Sequence, residues 1–248
     1  MPDIVAHANM GREVVRRLKL DVNPDVFRFG LLGPDPFLYC WPEYNKYSSI
    51  MHRKRTGEFL MELVTRVRDR DTFSYLCGFL CHYALDSVTH PRIIKLATDL
   101  YGDTSKAKFM HIAIEHRLDK LEGGKVSIPV FPSDTIREMF NCSIEKVYGW
   151  KDTWEKLKKR YWHIRPFYAI IGDRYGIFNK LTGWNSASLS MVSSKSRICD
   201  GLDLSWFKPI YLQSIEDAVE FITAASRFLR GEIGKKELSG IIGNRSYL

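Results

Sequence analysis

Long apolar runs are missing: nowhere in its 248 residues does the chain approach the roughly 20 apolar residues that a membrane-spanning helix needs. It opens on Met1-Pro2-Asp3 rather than on a basic region leading into an apolar one, so no secretory signal is expected either. The cysteines are few, odd in number and scattered. Cys40, Cys77, Cys81, Cys142 and Cys199 do not read as a disulfide framework in a chain of this length, and a reducing cytoplasm is the expected compartment. Cys77 and Cys81 lie one helical turn apart but have no second cysteine cluster, and read as small core residues. Regularly spaced strands with hairpin turns, internal repeats and an interdomain linker are also absent. One all-α domain over residues 1–248 is the expectation.

The hydrophobic content of 45% suits a globular protein with a sizeable core. A formal charge of +8 favours anionic partners such as phosphate esters, nucleic acid or a lipid surface. Much of the excess lies between Lys151 and Arg165, where Lys156, Lys158, Lys159 and Arg160 alternate with Trp154, Tyr161 and Trp162, close to Trp150. Such a segment can stack on bases or lie at a membrane interface. It also reads as an amphipathic helix with a solvated basic face and a buried aromatic one, which is the favoured reading.

Helical periodicity predicts a first helix over Ile4 to Leu18, with His7, Gly11, Val14, Val15 and Leu18 near one face. Val22 to Tyr47, punctuated by Pro24, Gly30, Gly33, Pro34, Pro36 and Pro42, reads as an ordered loop region. A second helix is expected over about His52 to Asp69. A third is expected from a cap at Asp71 or Thr72 to His90, where Pro91 discourages continuation. A fourth runs from a cap at Asp103 or Thr104 to the Gly123-Gly124 pair. Further helical patterns cover about Ser133 to Tyr148, Thr153 to Tyr175 and Gln213 to Arg230, with a long loop, a candidate lid, over Trp184 to Trp206.

Histidines are few, yet five of the seven fall within the first 111 residues beside carboxylates at helical spacing. His82, Asp86 and His90 stand at i, i+4 and i+8, so one helix carries all three along one side. Gly78, one turn earlier, leaves room for another group to approach, while Phe73, Leu76, Cys77, Leu80, Ala84 and Val88 form an offset core stripe. His111 and Glu115 repeat the i, i+4 device. Zinc accepts imidazole nitrogen and carboxylate oxygen, and ligands one turn apart can reach one ion. Either pair alone reads equally as a surface salt bridge; two pairs plus a third histidine point to metal. His7, His52 and Asp35 are further candidates, Asp35 being stiffened between Pro34 and Pro36. A turn aspartate bonding its own backbone is the plain alternative for Asp35. His116, which points about 100° away from Glu115 around the helix, and His163, without a ligand partner, are left out.

The run Met1-Pro2-Asp3-Ile4-x-x-His7, then Gly33-Pro34-Asp35, Met51-His52, Gly78-x-x-x-His82-x-x-x-Asp86-x-x-x-His90-Pro91 and His111-x-x-x-Glu115 resembles the bacterial zinc-dependent phospholipase C family over about the first 120 residues. The resemblance implies an all-helical fold and a cluster of two or three zinc ions. Asp35, His52, His82 and Asp86 would hold one, His90, His111 and Glu115 a second, and His7 with a bridging Asp86 a third. In secreted members the third ion also takes a free N-terminal amine. This chain departs there, and either the Pro2 amine or Asp3 would complete the site, Asp3 reading otherwise as a helix cap.

A zinc cluster lowers the pKa of bound water and stabilises attacking and leaving oxygens, which suits phosphodiester hydrolysis. Asp35 is the candidate general base. The resemblance implies a phosphate-ester substrate, phospholipid among the choices, with peripheral membrane contact. Phe37, Tyr39, Trp41, Tyr44 and Tyr47 either line the mouth of the site or belong to the core. The competing readings are a zinc-dependent single-strand nuclease, for which nucleic acid would be the partner, and a non-catalytic module whose metals staple helices.

Overall fold

The first helix, α1 (Ile4–Leu18), has the bounds that its periodicity predicts and buries Ile4, Ala6, His7, Met10, Gly11 and Val14 on one face. It belongs to a computed structural model that describes residues 4–40, 43–123, 128–164 and 198–245. Among the described residues there are α-helices and short 3₁₀ turns and no β-strand, so the all-α expectation holds.

The longest helix, α5 (Arg70–Tyr101), organises the rest. Its start is fixed by a reciprocal cap: Asp69 accepts from the Thr72 amide at 2.8 Å and the Thr72 hydroxyl accepts from the Asp69 amide at 3.0 Å. The cap is therefore Asp69, upstream of the expected Asp71 or Thr72. Pro91 does not end the helix, contrary to expectation. A proline inside a helix costs about 3 kcal/mol. Burying Ile93 and Ala97 beyond it offsets most of that, at roughly 1.5–3 kcal/mol for the isoleucine alone.

Every residue from Ser74 to Ser87 is buried, so α5 has no solvated face in its middle. The expected core stripe needs correcting for this reason. Phe73 and Val88 are only half-buried, whereas His82 and Asp86 are fully enclosed. What encloses them is a jacket of α1, α2 (Pro24–Gly30), α6 (Ser105–Glu122) and α9 (Phe207–Leu229), all packed against α5.

Helix α2 lies in the stretch expected to be loop. Pro24 sits in its first turn, where a missing amide costs nothing, and the Asn23 side chain accepts from the Asp25 amide at 3.2 Å. It crosses α5 so closely that a Cβ on Gly78 would overlap the Phe27 carbonyl and Gly30. The room at Gly78 is thus filled by the α2 backbone. A 3₁₀ turn at Asp35–Tyr39 follows.

The expected second helix is two: α3 (Asn45–Arg53) and α4 (Thr56–Thr65), broken where Arg55 takes a left-handed φ of 58°. His52 therefore ends α3 rather than starting a helix. Helix α6 begins after Thr104 and stops at Gly123, whose φ is 66°. Helix α7 (Arg137–Tyr148) follows a 3₁₀ turn at Asp134–Ile136, and α8 (Thr153–Arg160) passes into another at Tyr161–His163. The remainder of the pattern expected to reach Tyr175, and most of the expected loop from Trp184 to Trp206, lie outside the described residues. Helix α9 starts earlier than Gln213, at Phe207, and α10 (Lys235–Ile242), not foreseen, packs on α4 and α9.

No helix among the described residues is long and apolar enough to cross a membrane. The described cysteines are all unbridged, and Cys77 and Cys81 are core residues as expected.

Candidate metal centre

Each functional side chain is delivered by the end or the middle of a packed element. His7 comes from α1, Asp35 from the first position of its 3₁₀ turn, and His52 from the last turn of α3. His82, Asp86 and His90 come from successive turns of α5, and His111 and Glu115 from α6. All are buried except His111, which is partly exposed. The eight stand together around the Asp86 carboxylate.

Asp86 Oδ2 lies 3.1 Å from His82 Nε2 and 3.5 Å from Nε2 of both His52 and His90, while Oδ1 lies 3.2 Å from His7 Nε2. Asp35 Oδ1 approaches His52 Nε2 at 3.3 Å. On the far side of His90, Glu115 Oε1 is 3.4 Å from His90 Nε2 and 2.7 Å from His111 Nε2. Two sets of donor atoms result, Asp35 with His52, His82 and Asp86, and His90 with His111 and Glu115, each set lying within 4.8 Å. His7 stacks on His82 with ring centres 4.6 Å apart and faces the unshared oxygen of Asp86. Neither His116 nor His163 belongs to either set. Asp3 and the Pro2 amine, expected to complete a third site, lie outside the described residues.

The backbone orients the rings. His82 Nδ1 is 3.1 Å from the Leu31 carbonyl and His52 Nδ1 is 2.8 Å from the Ser48 carbonyl. A carbonyl only accepts, so both Nδ1 atoms carry a proton, and in each ring Nε2 is the nitrogen left to face the Asp86 carboxylate. Gly33, with a φ of 53°, lies between Leu31, whose carbonyl meets His82 Nδ1, and Asp35, whose Oδ2 stands 3.7 Å from the same nitrogen.

Electrostatics divide the histidines. Burial lowers the pKa of His7, and of His90 and His111 well below the ordinary imidazole value, which keeps these rings neutral and able to act as ligands. Burial acts on His52 in the same direction, but the adjacent Asp35 and Asp86 carboxylates outweigh it and push the ring up to about 9. Burial alone would raise Asp86, yet His82, His90 and His7 around it hold its carboxyl well below the usual range.

The donor set fits a divalent cation. Both Asp86 oxygens, Asp35 Oδ1 and both nitrogens of His7 are buried without a hydrogen-bond partner. Each such atom costs roughly 1–3 kcal/mol, a penalty that a cation shared among them would remove. Imidazole nitrogen with carboxylate oxygen is a zinc-type set.

The described aromatic side chains near Asp35 lie in the core or against it. Phe37 is core, packed against Tyr47 and Phe140, whereas Tyr44 and Tyr47 are partly buried and Tyr47 stacks on Trp150 at 3.8 Å. Trp41 lies outside the described residues. In the basic segment Trp154 and Tyr161 are buried, in line with the amphipathic reading, whereas Trp162, 65% exposed, departs from it.

A reading confined to histidine and carboxylate pairs misses the carbonyls of Leu31 and Ser48, which act through the backbone and leave no side-chain signature. Asp119 extends the His111 and Glu115 ladder by another helical turn, a spacing that the sequence does display.

An all-helical jacket closed around a shared carboxylate and five imidazoles defines a protein with a buried centre of zinc-type donors. The chain belongs to the zinc-dependent phospholipase C family, whose sequence model matches residues 6–167, a span that holds all eight residues. No curated protein and no solved structure matches the chain.

Proposed function

We propose that the protein is a zinc-dependent phosphodiester hydrolase acting on phosphate esters of the phospholipid type. The observation that carries this reading is the position of Asp86. One carboxylate faces His82, His52 and His90 through Oδ2 and His7 through Oδ1, so it can be shared between neighbouring ions.

Asp35, His52, His82 and Asp86 would hold one zinc, His90, His111 and Glu115 a second, and His7 with Asp86 a third. Zinc held there supplies Lewis acidity toward the phosphoryl oxygens and toward water. The chain itself supplies the rest. Leu31 and Ser48 orient the rings, the jacket around α5 excludes bulk water, and the Asp35 carboxylate accepts the proton of the attacking water as its oxygen bonds to phosphorus, then gives that proton to the departing ester oxygen. The burial of Asp35 in a turn beside two histidines supports that role.

The second donor set has three protein ligands, and a three-ligand site leaves a position for substrate or water. This favours catalysis over a module in which metal only staples helices. Burial of Trp154 and Tyr161 removes two of the four aromatics of a base-stacking platform, which favours phospholipid over single-stranded nucleic acid.

The test is turnover with and without added zinc on a chromogenic phosphodiester, phosphatidylcholine and anionic phospholipid vesicles, and single-stranded DNA. Zinc-dependent release of a phosphorylated head group is expected. Release of nucleotides with no action on lipid would replace this reading with the nuclease, and zinc uptake with no turnover on any substrate would replace it with the structural module.

A further inference from the structure

Helix α6 presents His111, Glu115 and Asp119 in successive turns along one side, and the third of these has a different occupation from the first two. Asp119 is buried, and its carboxylate reaches across to α1, where Oδ2 accepts from the Val5 amide at 2.9 Å and Oδ1 from the Ala6 amide at 2.8 Å. Amides in the first turn of a helix have no partner within it, and α1 carries no acidic residue in its own first turn. Asp119 supplies from another helix both the acceptors and the negative charge that a helix start favours. From the opposite side, on α9, the Tyr211 hydroxyl donates to the Ala6 carbonyl at 3.3 Å. The three peptide groups leading into His7 are therefore each held from another helix, two by Asp119 and the third by Tyr211, and His7 is the residue whose Nε2 meets Asp86 at 3.2 Å.

We propose that Asp119 is a positioning residue for metal binding: by fixing the first turn of α1 to α6, it sets where the His7 imidazole stands relative to Asp86. This rests on the reading of His7 as a ligand. The same helix then governs two parts of the centre, His111 and Glu115 directly and His7 through the α1 backbone. A second contact between α1 and the end of α6 supplies a control, since Asn9 Nδ2 donates to the Gly123 carbonyl at 3.2 Å through its side chain and leaves the amides that precede His7 to Asp119.

The experiment is zinc affinity, measured on the full chain by competition with a chromophoric chelator, for wild type, Asp119→Ala, Asp119→Asn, His7→Ala, Asn9→Ala and the Asp119→Ala/His7→Ala double variant. Partners that orient a ligand typically contribute about 10- to 100-fold in metal affinity. Asp119→Ala is expected to weaken the most loosely held zinc by about that factor, with Asp119→Asn, which keeps one acceptor oxygen, falling between it and wild type. If Asp119 acts through His7, its loss adds nothing once His7 is gone, so the double variant should match His7→Ala. Asn9→Ala should bind as wild type does.

Unchanged affinity in Asp119→Ala, losses that multiply in the double variant, or an equal loss in Asn9→Ala would each overturn the proposal. Should Asp119→Ala fail to fold by circular dichroism, Asp119→Asn takes its place in the same cycle. Wild-type protein that takes up no zinc overturns both this inference and the proposed ligand set. Protein that binds zinc with the expected coupling yet hydrolyses nothing overturns the proposed function alone.

Discussion

Gly33 lies against the imidazole of His82, so close that a Cβ at this position would overlap the ring. Its φ of 53° also falls where side chains are strained. Gly33→Ala combines both effects: roughly 1 kcal/mol of backbone cost and displacement of a ring that borders Asp35 and Asp86. Zinc affinity should fall by about tenfold or more, since about 1.4 kcal/mol corresponds to a factor of ten. Competition titration against a chelator measures it, and wild-type affinity in the variant would contradict the packing described.

The metal-free chain should lose stability on the acid side. His90 and His111 are held neutral by burial, with His7 shifted the same way, while in the unfolded chain they protonate near 6.5. A depressed histidine contributes stability that is present above its unfolded pKa and lost as pH falls. Each ring kept neutral costs roughly 1.4 kcal/mol of stability per pH unit below that point. His52 has the opposite sign. Its contribution is complete below 6.5 and is lost as pH rises toward about 9. Urea unfolding of chelated protein should thus show a steep decline from pH 7 to 5 and a shallower one from pH 7 to 9. Equal stability at pH 5 and 7 would contradict the assignment of neutral buried rings.

Removing metal should lower the melting temperature. A ligand present at about a thousand times its dissociation constant stabilises the fold by roughly 4 kcal/mol. For a chain of this size each kcal/mol shifts melting by about 2–4 °C, so a shift of roughly 8–16 °C is expected on chelation, reversed by zinc. Scanning calorimetry checks this. No shift on chelation of zinc-loaded protein would mean that the clustered histidines do not bind the ion in the folded state.

Asp69→Ala should cost about 1 kcal/mol by removing the carboxylate that accepts from the Thr72 amide at the start of α5. Zinc content should not change, because the cap stands three turns before His82. A loss of metal in this variant would show that the start of α5 is coupled to the centre.

Much of the candidate site was legible because its histidines and carboxylates repeat at one-turn spacing on two helices, and such spacing needs no tertiary information. The same logic extended one turn further would have drawn Asp119 into view. The bounds of α1 and the ends of α6 were legible from periodicity and from glycine at the C-terminal cap. The break at Arg55 was not, since a left-handed arginine between two helical runs carries no glycine, proline or asparagine to announce it. Helix α2 was hidden by Pro24 and Gly30, which mark its two ends but read as turn punctuation. Pro91 misled in the opposite direction, because burial of the residues after it outweighs a local cost that sequence alone makes visible. The full enclosure of α5 depends on four other helices, and no local pattern encodes it.

Anomalous diffraction at the zinc edge, on crystals grown with zinc, locates the bound ions themselves. One peak is expected among Asp35, His52, His82 and Asp86 and another among His90, His111 and Glu115. Absence of both, with zinc bound only at surface positions or not at all, would contradict the proposed ligand sets.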